Sequence, residues 1–370
     1  MGGKPDTAAA AAARLGRLRR RMKALKLDGF CVWKNVNVRY LSGFRNEDAA
    51  LLVTPNECLL ITDFRYTEQA RLEAPACKVV ERDCPLAQCV ARSARKAGVS
   101  RMGFESESLT HAAFTDMRKH GRCVALVPCA NEIELLRQIK EPDEIEAVRR
   151  ALALGQRAFR DVFLESDWSA MTERELAGEL EYRMRRLGAD GAAFETICAV
   201  DAGASQPHHQ CGKIKPAADS SILIDWGARV DGYCGDLTRV LFRSTIPPEI
   251  RTVYRIVLDA QKRALEAVRP GRRTCEIDRA ARSYIEEKGF GRQFGHGLGH
   301  GLGLEVHELP GINAAGRTRL APGMVFTVEP GIYLAGKLGV RIEDVVAVTE
   351  DGCRVLSSLP KSLRSAVLNR

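Results

Sequence analysis

The spacing of apolar and polar residues divides the chain into two parts of different character. Leu15, Leu18, Met22 and Leu25 recur at helical spacing beneath a run of arginines, predicting an amphipathic helix with a basic, solvated face. Residues 29–32 read as a short apolar strand, 50–53 and 58–61 flank Thr54-Pro55-Asn56-Glu57 as a hairpin, and 86–97 read as a helix closed by Gly98. These elements predict a small α/β domain over 14–130. Before it, 1–13 read as a disordered tail, lacking the charged start and apolar middle of a secretory signal. A helical pattern then covers 131–164 with a break at Glu141-Pro142-Asp143. Proline starts a helix more readily than it continues one, so 131–141 is expected as a linker helix and 142–370 as a second domain.

The second domain begins with helices and turns to strands. Thr172 and Glu175 frame a capping box for a helix that Gly188 ends. A strand starts at 222–225, and Asp231-Gly232 is a two-residue hairpin turn. That turn sets a register in which Asp225 lies opposite Thr238, and Asp236 opposite Gly227. Asp225 and Asp236 then share a face as diagonal neighbours, roughly 7–8 Å apart at the backbone. Two carboxylates converging in an otherwise apolar strand pair are costly unless a cation lies between them. Residues 248–268 and 274–289 read as packing helices.

Three of the seven histidines, His296, His300 and His307, sit among five glycines in residues 295–308. The interval of four between His296 and His300 would suit a metal-binding helix. Gly297 and Gly299 each cost about 1 kcal/mol in a helix interior, so a strand with both histidines on one side is the better reading. Alternate glycines leave its other side bare for a ligand, a metal or a neighbouring backbone. They do not follow the Gly-x-Gly-x-x-Gly order of a phosphate loop. His307, at odd spacing, needs a bend to join the others. Further on, Arg341 and Glu343 fall on one strand face and Val340, Ile342, Val346 and Val348 on the other, which leaves Asp344 inconsistent with the alternation. With Glu329 of Phe326-Thr-Val-Glu329-Pro-Gly-Ile-Tyr333, the second domain supplies Asp225, Asp236, His300, Glu329 and Glu343, a mixed oxygen and nitrogen set. It suits Mn, Co, Fe or Zn better than a sulfur-preferring ion, and it suffices for two ions sharing carboxylates.

Composition narrows the classes. With 370 residues, 45% hydrophobic and 28% charged, the chain has room for two ordinary globular domains. No apolar run approaches the about 20 residues needed to cross a bilayer, so no membrane partner is expected. A net charge of +9 raises nucleic acid, but the basic residues ride on an amphipathic helix with no recognisable binding module, so nucleic acid is not expected as a partner. Twelve cysteines without a CxxC pair or Cys/His zinc spacing read as reduced thiols in a cytoplasmic protein. Cys234 reads as a packing thiol, His111 and His120 as surface residues, and His209 as solvent-facing.

The motifs around these residues resemble the pita-bread metallopeptidases, in the branch containing prolidase (Xaa-Pro dipeptidase) and aminopeptidase P. The matching segments surround Asp225 and Asp236, then His296, His300 and His307, then Val-Glu329-Pro-Gly-Ile-Tyr333, then Val-Arg341-Ile-Glu343-Asp. Weaker likeness extends to Pro207-His208, to Lys140-Glu-Pro-Asp-Glu-Ile, and to residues 37–44. The resemblance implies an α+β fold, with a small N-terminal creatinase-like α/β domain followed by a pita-bread domain of curved antiparallel sheet covered by helices. It implies that Asp225 ligates one metal, Asp236 and Glu343 bridge two, and His300 and Glu329 ligate the other, with manganese the first choice of ion. Glu329 would also manage the proton of the attacking water, while His208 and His307 contact the substrate carbonyl and the oxyanion. His296 would line the substrate pocket, and Thr238, Tyr333 and Arg341 would hold the carboxylates. Short proline-containing peptides as substrates and a homodimer follow from the same resemblance. Arg39 is a candidate to meet a substrate carboxylate. Gly235 stands where the family often has Ser. A non-catalytic binding module on this fold, for nucleic acid or protein, and an aminopeptidase without proline preference are the alternatives. A methionine aminopeptidase fits less well because of the first domain, and a metal-free creatinase-like enzyme because no ligand is replaced.

Overall fold

The computed structural model describes residues 7–368, which separate into a unit ending at Arg137 and a unit beginning at Gln138. Only Glu134–Arg137 of the linker helix expected over 131–141 is helical. Ile139 instead bridges to Met324, and Glu141 is extended, as a residue before proline tends to be. The disordered tail expected over 1–13 is also corrected. A helix already begins at Thr7 and runs to Ala24, because an alanine run has high helix propensity and Ala11, Leu15, Leu18 and Met22 supply a buried stripe. Residues 1–6 lie outside the described residues.

The first unit is built on a six-stranded mixed sheet in the order Lys78–Glu81, Cys58–Thr62, Ala49–Val53, Gly29–Val32, Arg101–Glu105, Ala125–Cys129. The predicted hairpin closes with Val53 opposite Cys58. Helix Leu86–Lys96 buries Ala87, Val90, Ala91 and Ala94 against this sheet.

In the second unit every strand ladder is antiparallel among the described residues. One sheet joins Ile197–Val200, Ser221–Trp226 and Leu237–Phe242. Another joins Glu308–Ile312, Gly299–Gly301, Val325–Val328, Asp344–Val348 and Cys353–Val355. Alternation along these strands feeds two cores. Leu223, Val240, Phe326 and Val346 pack with helices Pro248–Ala267 and Thr274–Glu287, while Ile222, Ile224, Trp226 and Val325 pack with helices Pro142–Phe159 and Glu173–Arg186. Trp226 stacks on Phe159 at 4.4 Å between ring centroids, and its indole N–H donates to the Gly155 carbonyl at 3.0 Å. That bond satisfies the one polar atom of a fully buried side chain.

The strand expected to carry Asp344 on an apolar face ends at Arg341, and a new one starts at Asp344. Alternation is broken between them. Asp344 turns into a buried clasp of Arg239 (2.9 Å), Gln261 (3.1 Å), Ser357 (2.6 Å) and Lys361.

Candidate metal centre

The Asp231-Gly232 turn has positive φ at both residues (48° and 75°) and pairs Val230 with Tyr233, as a type I′ hairpin requires. The register carries to Asp225 opposite Thr238. Between the two ladders the strands are so close that a Cβ on Gly227 would stand 2.0 Å from the Gly235 carbonyl oxygen. Any side chain there would force apart the strand ends that present Asp225 and Asp236.

His300 occupies the three-residue strand Gly299–Gly301. Its glycines admit neighbouring backbone: a Cβ would lie 2.0 Å from the Thr327 carbonyl oxygen at Gly299, and 2.2 Å from that of Leu309 at Gly301. The expectation that His296 and His300 share one strand is corrected, because His296 precedes the strand. Its Nδ1 lies 2.7 Å from the Gly297 carbonyl and its Nε2 3.1 Å from the Tyr333 hydroxyl. His307 supplies the predicted bend and meets His300 edge to face at 4.2 Å.

Asp236, His300 and Glu343 bring ligand atoms within 4.8 Å of one another. His300 Nε2 lies 3.1 Å from Glu329 Oε1 and 3.7 Å from Asp236 Oδ2. Arg341 binds the group together. It donates to Asp225 Oδ2 (2.5 Å), the Tyr333 hydroxyl (2.8 Å) and Thr238 Oγ1 (3.0 Å), and the Thr238 hydroxyl donates in turn to Glu343 Oε2 (2.7 Å). One cation thus reaches Glu343 through Thr238 and Asp225 directly.

Burial pushes the carboxyl of Asp225 up despite Arg341, and pushes Asp236 and Glu343 well above the usual range, with neighbouring carboxylates adding to the rise. Glu329 is also penalised by burial, but the His300 hydrogen bond and charge outweigh it and hold its pKa below normal. His300 is raised, since Glu329 outweighs the burial of the imidazole. Asp225 Oδ1 and Glu343 Oε1 are buried with no hydrogen-bond partner. Carboxylates crowded together, two of them with an oxygen left bare, are what a site for divalent cations presents to its ions. The donor set therefore fits such ions.

A cavity of about 860 Å³ opens onto this group, lined among others by His208, His296, His300, His307 and Tyr333. Burial lowers the pKa of both His296 and His307, which keeps them neutral near pH 7. Phe194, Ile197, Gln210, Val306 and Asn313 also line it. Sequence reasoning missed these because no motif sets them apart. Thr327 was missed too, although its place two residues before Glu329 in a strand was a usable signal. Its hydroxyl accepts the His300 N–H (3.0 Å) and donates to Glu329 Oε1 (3.1 Å). His209 is corrected from solvent-facing. Its Nε2 lies 3.0 Å from the carboxylate of Glu173, which is fully buried. Cys234 is buried with its thiol toward the Leu304 carbonyl.

Residues 146–350 match the model of "Metallopeptidase family M24", and 14–139 that of the "Creatinase/Prolidase N-terminal domain". The "Uncharacterized peptidase YqhT" of Bacillus subtilis is 37% identical over 95% of this chain and 99% of its own length. Among solved structures, an Xaa-Pro dipeptidase from Bacillus anthracis superposes with a TM-score of 0.93 at 34% identity, covering 97% of this chain and 100% of that one. An X-Pro aminopeptidase from Thermotoga maritima gives 0.86 at 36%, covering 92% and 99%. With a creatinase-type first domain and a carboxylate and histidine cluster in the second, this chain belongs to metallopeptidase family M24 and is a peptidase.

Proposed function

We propose that the protein hydrolyses the N-terminal Xaa-Pro bond of dipeptides or short peptides with two divalent metal ions, manganese first and cobalt, zinc or iron as alternatives. The observation that carries this reading is the convergence of Asp225, Asp236, His300, Glu329 and Glu343 with two bare carboxylate oxygens at the foot of an open cavity. Asp225 would hold one ion, Asp236 and Glu343 both, and His300 and Glu329 the other. Bound there, the ions supply Lewis acidity toward a carbonyl and toward water.

The remaining work falls to the chain. Glu329, kept ionised by His300, accepts the proton of the attacking water at its carboxylate and returns it to the departing amine. His208 and His307 line the cavity, where an imidazole N–H would hold the scissile carbonyl and then its oxyanion. His296 borders the same space and orients the substrate. Arg341, Tyr333 and Thr238 fix the carboxylates, so that little rearrangement accompanies the reaction. A homodimer in the cytoplasm completes the proposal. No helix among the described residues is long and apolar enough to cross a membrane.

The test is a panel of Xaa-Pro dipeptides, Xaa-Pro-Xaa tripeptides and Met-initiated peptides lacking proline. Each is assayed after exhaustive chelation and again with Mn, Co or Zn restored. Metal-restored cleavage confined to the proline peptides is expected. Cleavage that survives chelation in metal-free protein would refute the metal reading, and equal turnover of Met-initiated peptides would refute the proline preference.

A further inference from the structure

The buried charge pair of Lys140 and Glu308 lies outside the cluster just described. Lys140 Nζ stands 3.0 Å from Glu308 Oε2, with side chains 1% and 4% exposed. Glu308 opens the strand after the turn that carries His307, with Gly301 opposite it. The other oxygen, Oε1, accepts the Glu305 N–H at 2.9 Å inside that turn. The Gly303 N–H donates to the Glu305 carbonyl at 3.1 Å. Gly303 also lies against the Glu308 carboxylate so closely that a Cβ would sit 2.8 Å from its oxygen. Lys140 is itself anchored, since its N–H donates to the Gly323 carbonyl at 2.8 Å.

Isolated charges this deeply buried are costly, and a hydrophobic pair of similar volume would often serve stability as well. What the pair adds is direction. A fixed ammonium pins one carboxylate, the carboxylate pins the turn, and the turn sets His307 against His300. We propose that Lys140 and Glu308 are positioning residues for His307, holding its imidazole over the cavity by closing the 302–307 turn. This rests on the peptidase reading for its effect on turnover, though not for its effect on the histidine.

The test uses the full-length protein with Lys140→Met/Glu308→Gln, which removes both charges together, and Gly303→Ala, which keeps both charges but crowds the carboxylate at Oε2, the oxygen that meets Lys140. The first readout is the His307 ring signal in histidine-labelled protein, assigned by its loss in His307→Ala. Both variants should shift or broaden that signal and leave the His296 signal in place. This readout needs no substrate, so it stands even if no peptide is cleaved. The second is a double-mutant cycle on the best substrate of the panel. Each variant should lower kcat about 10-fold or more with KM within about 3-fold, and the same changes made in His307→Ala should lower kcat less than about 2-fold. An unmoved His307 signal in Gly303→Ala, or an equal fall in kcat with and without His307, overturns the proposal.

Discussion

Removing the metal should make the ligand cluster's contribution to the second unit's stability fall with rising pH, and restoring it should reverse that dependence. In the chelated protein, burial raises Asp225, Asp236 and Glu343 above their unfolded values. A raised carboxyl contributes stability fully below its unfolded pKa, about 4, and loses it as pH climbs through the folded value. Glu329 is depressed and acts oppositely, losing its contribution as pH falls through its folded pKa. Among the ligand carboxylates three act against one, and His300, also raised, adds to the loss toward neutral pH, whereas His296, His307 and Asp344 are lowered and oppose it from outside the ligand set. The ions bind the ionised ligands, so their effect grows as protons leave. At a free metal concentration 100 times Kd the stabilisation is about 2.7 kcal/mol for each ion bound. For a unit of the length of 138–370 each ion then adds roughly 5–10 °C to Tm. The assay is differential scanning calorimetry of chelated protein near pH 5.5 and near pH 8, with and without millimolar Mn. The metal-induced rise in Tm should be larger at the higher pH. An equal rise at both values, or none at either, would refute the reasoning.

Other consequences can be checked in parallel. Asp236→Asn and His300→Ala should each lower the bound metal measured by elemental mass spectrometry below two ions per chain, and cut turnover by about 100-fold or more. Thr238→Val strips Glu343 Oε2 of its donor and Arg341 Nε of its acceptor, and should cost about 1–3 kcal/mol in urea unfolding of the chelated protein. Gly299→Ala must displace the Thr327 carbonyl beside His300 and should destabilise by about 1–3 kcal/mol, whereas Gly295→Ala, with nothing within 4 Å, should stay within about 0.5 kcal/mol by the same measurement.

Where one local rule dominates, the sequence was sufficient. The Asp-Gly turn has one favourable geometry, and from it the register that sets Asp225 opposite Thr238 could be counted. The capping box at Thr172 and Glu175 likewise formed as read, because both halves of the motif lie within four residues. Long-range pairing was not legible in this way. Nothing in the pattern around Asp344 announces that Arg239, Gln261 and Lys361 will meet it, since those partners lie far apart along the chain. The same holds for Glu173 with His209, and for Lys140 with Glu308 across 168 positions. His296 was misplaced for a different reason. Alternating glycines suggested a longer strand, and the ladder formed only over Gly299–Gly301. Period alone cannot say where a strand that short begins.

The clasp around Asp344 has a practical side. Its carboxylate is the covalent neighbour of Glu343, and Arg239, which grips it, also donates to the backbone carbonyls of Glu343 and Leu359. Ser357 and Lys361 complete the grip from beyond the last strand. Residues 357–361 therefore act at a distance on the backbone of Glu343. A proteolytic nick or an engineered shortening there would surface as weakened metal retention, in a protein whose ligands were all intact.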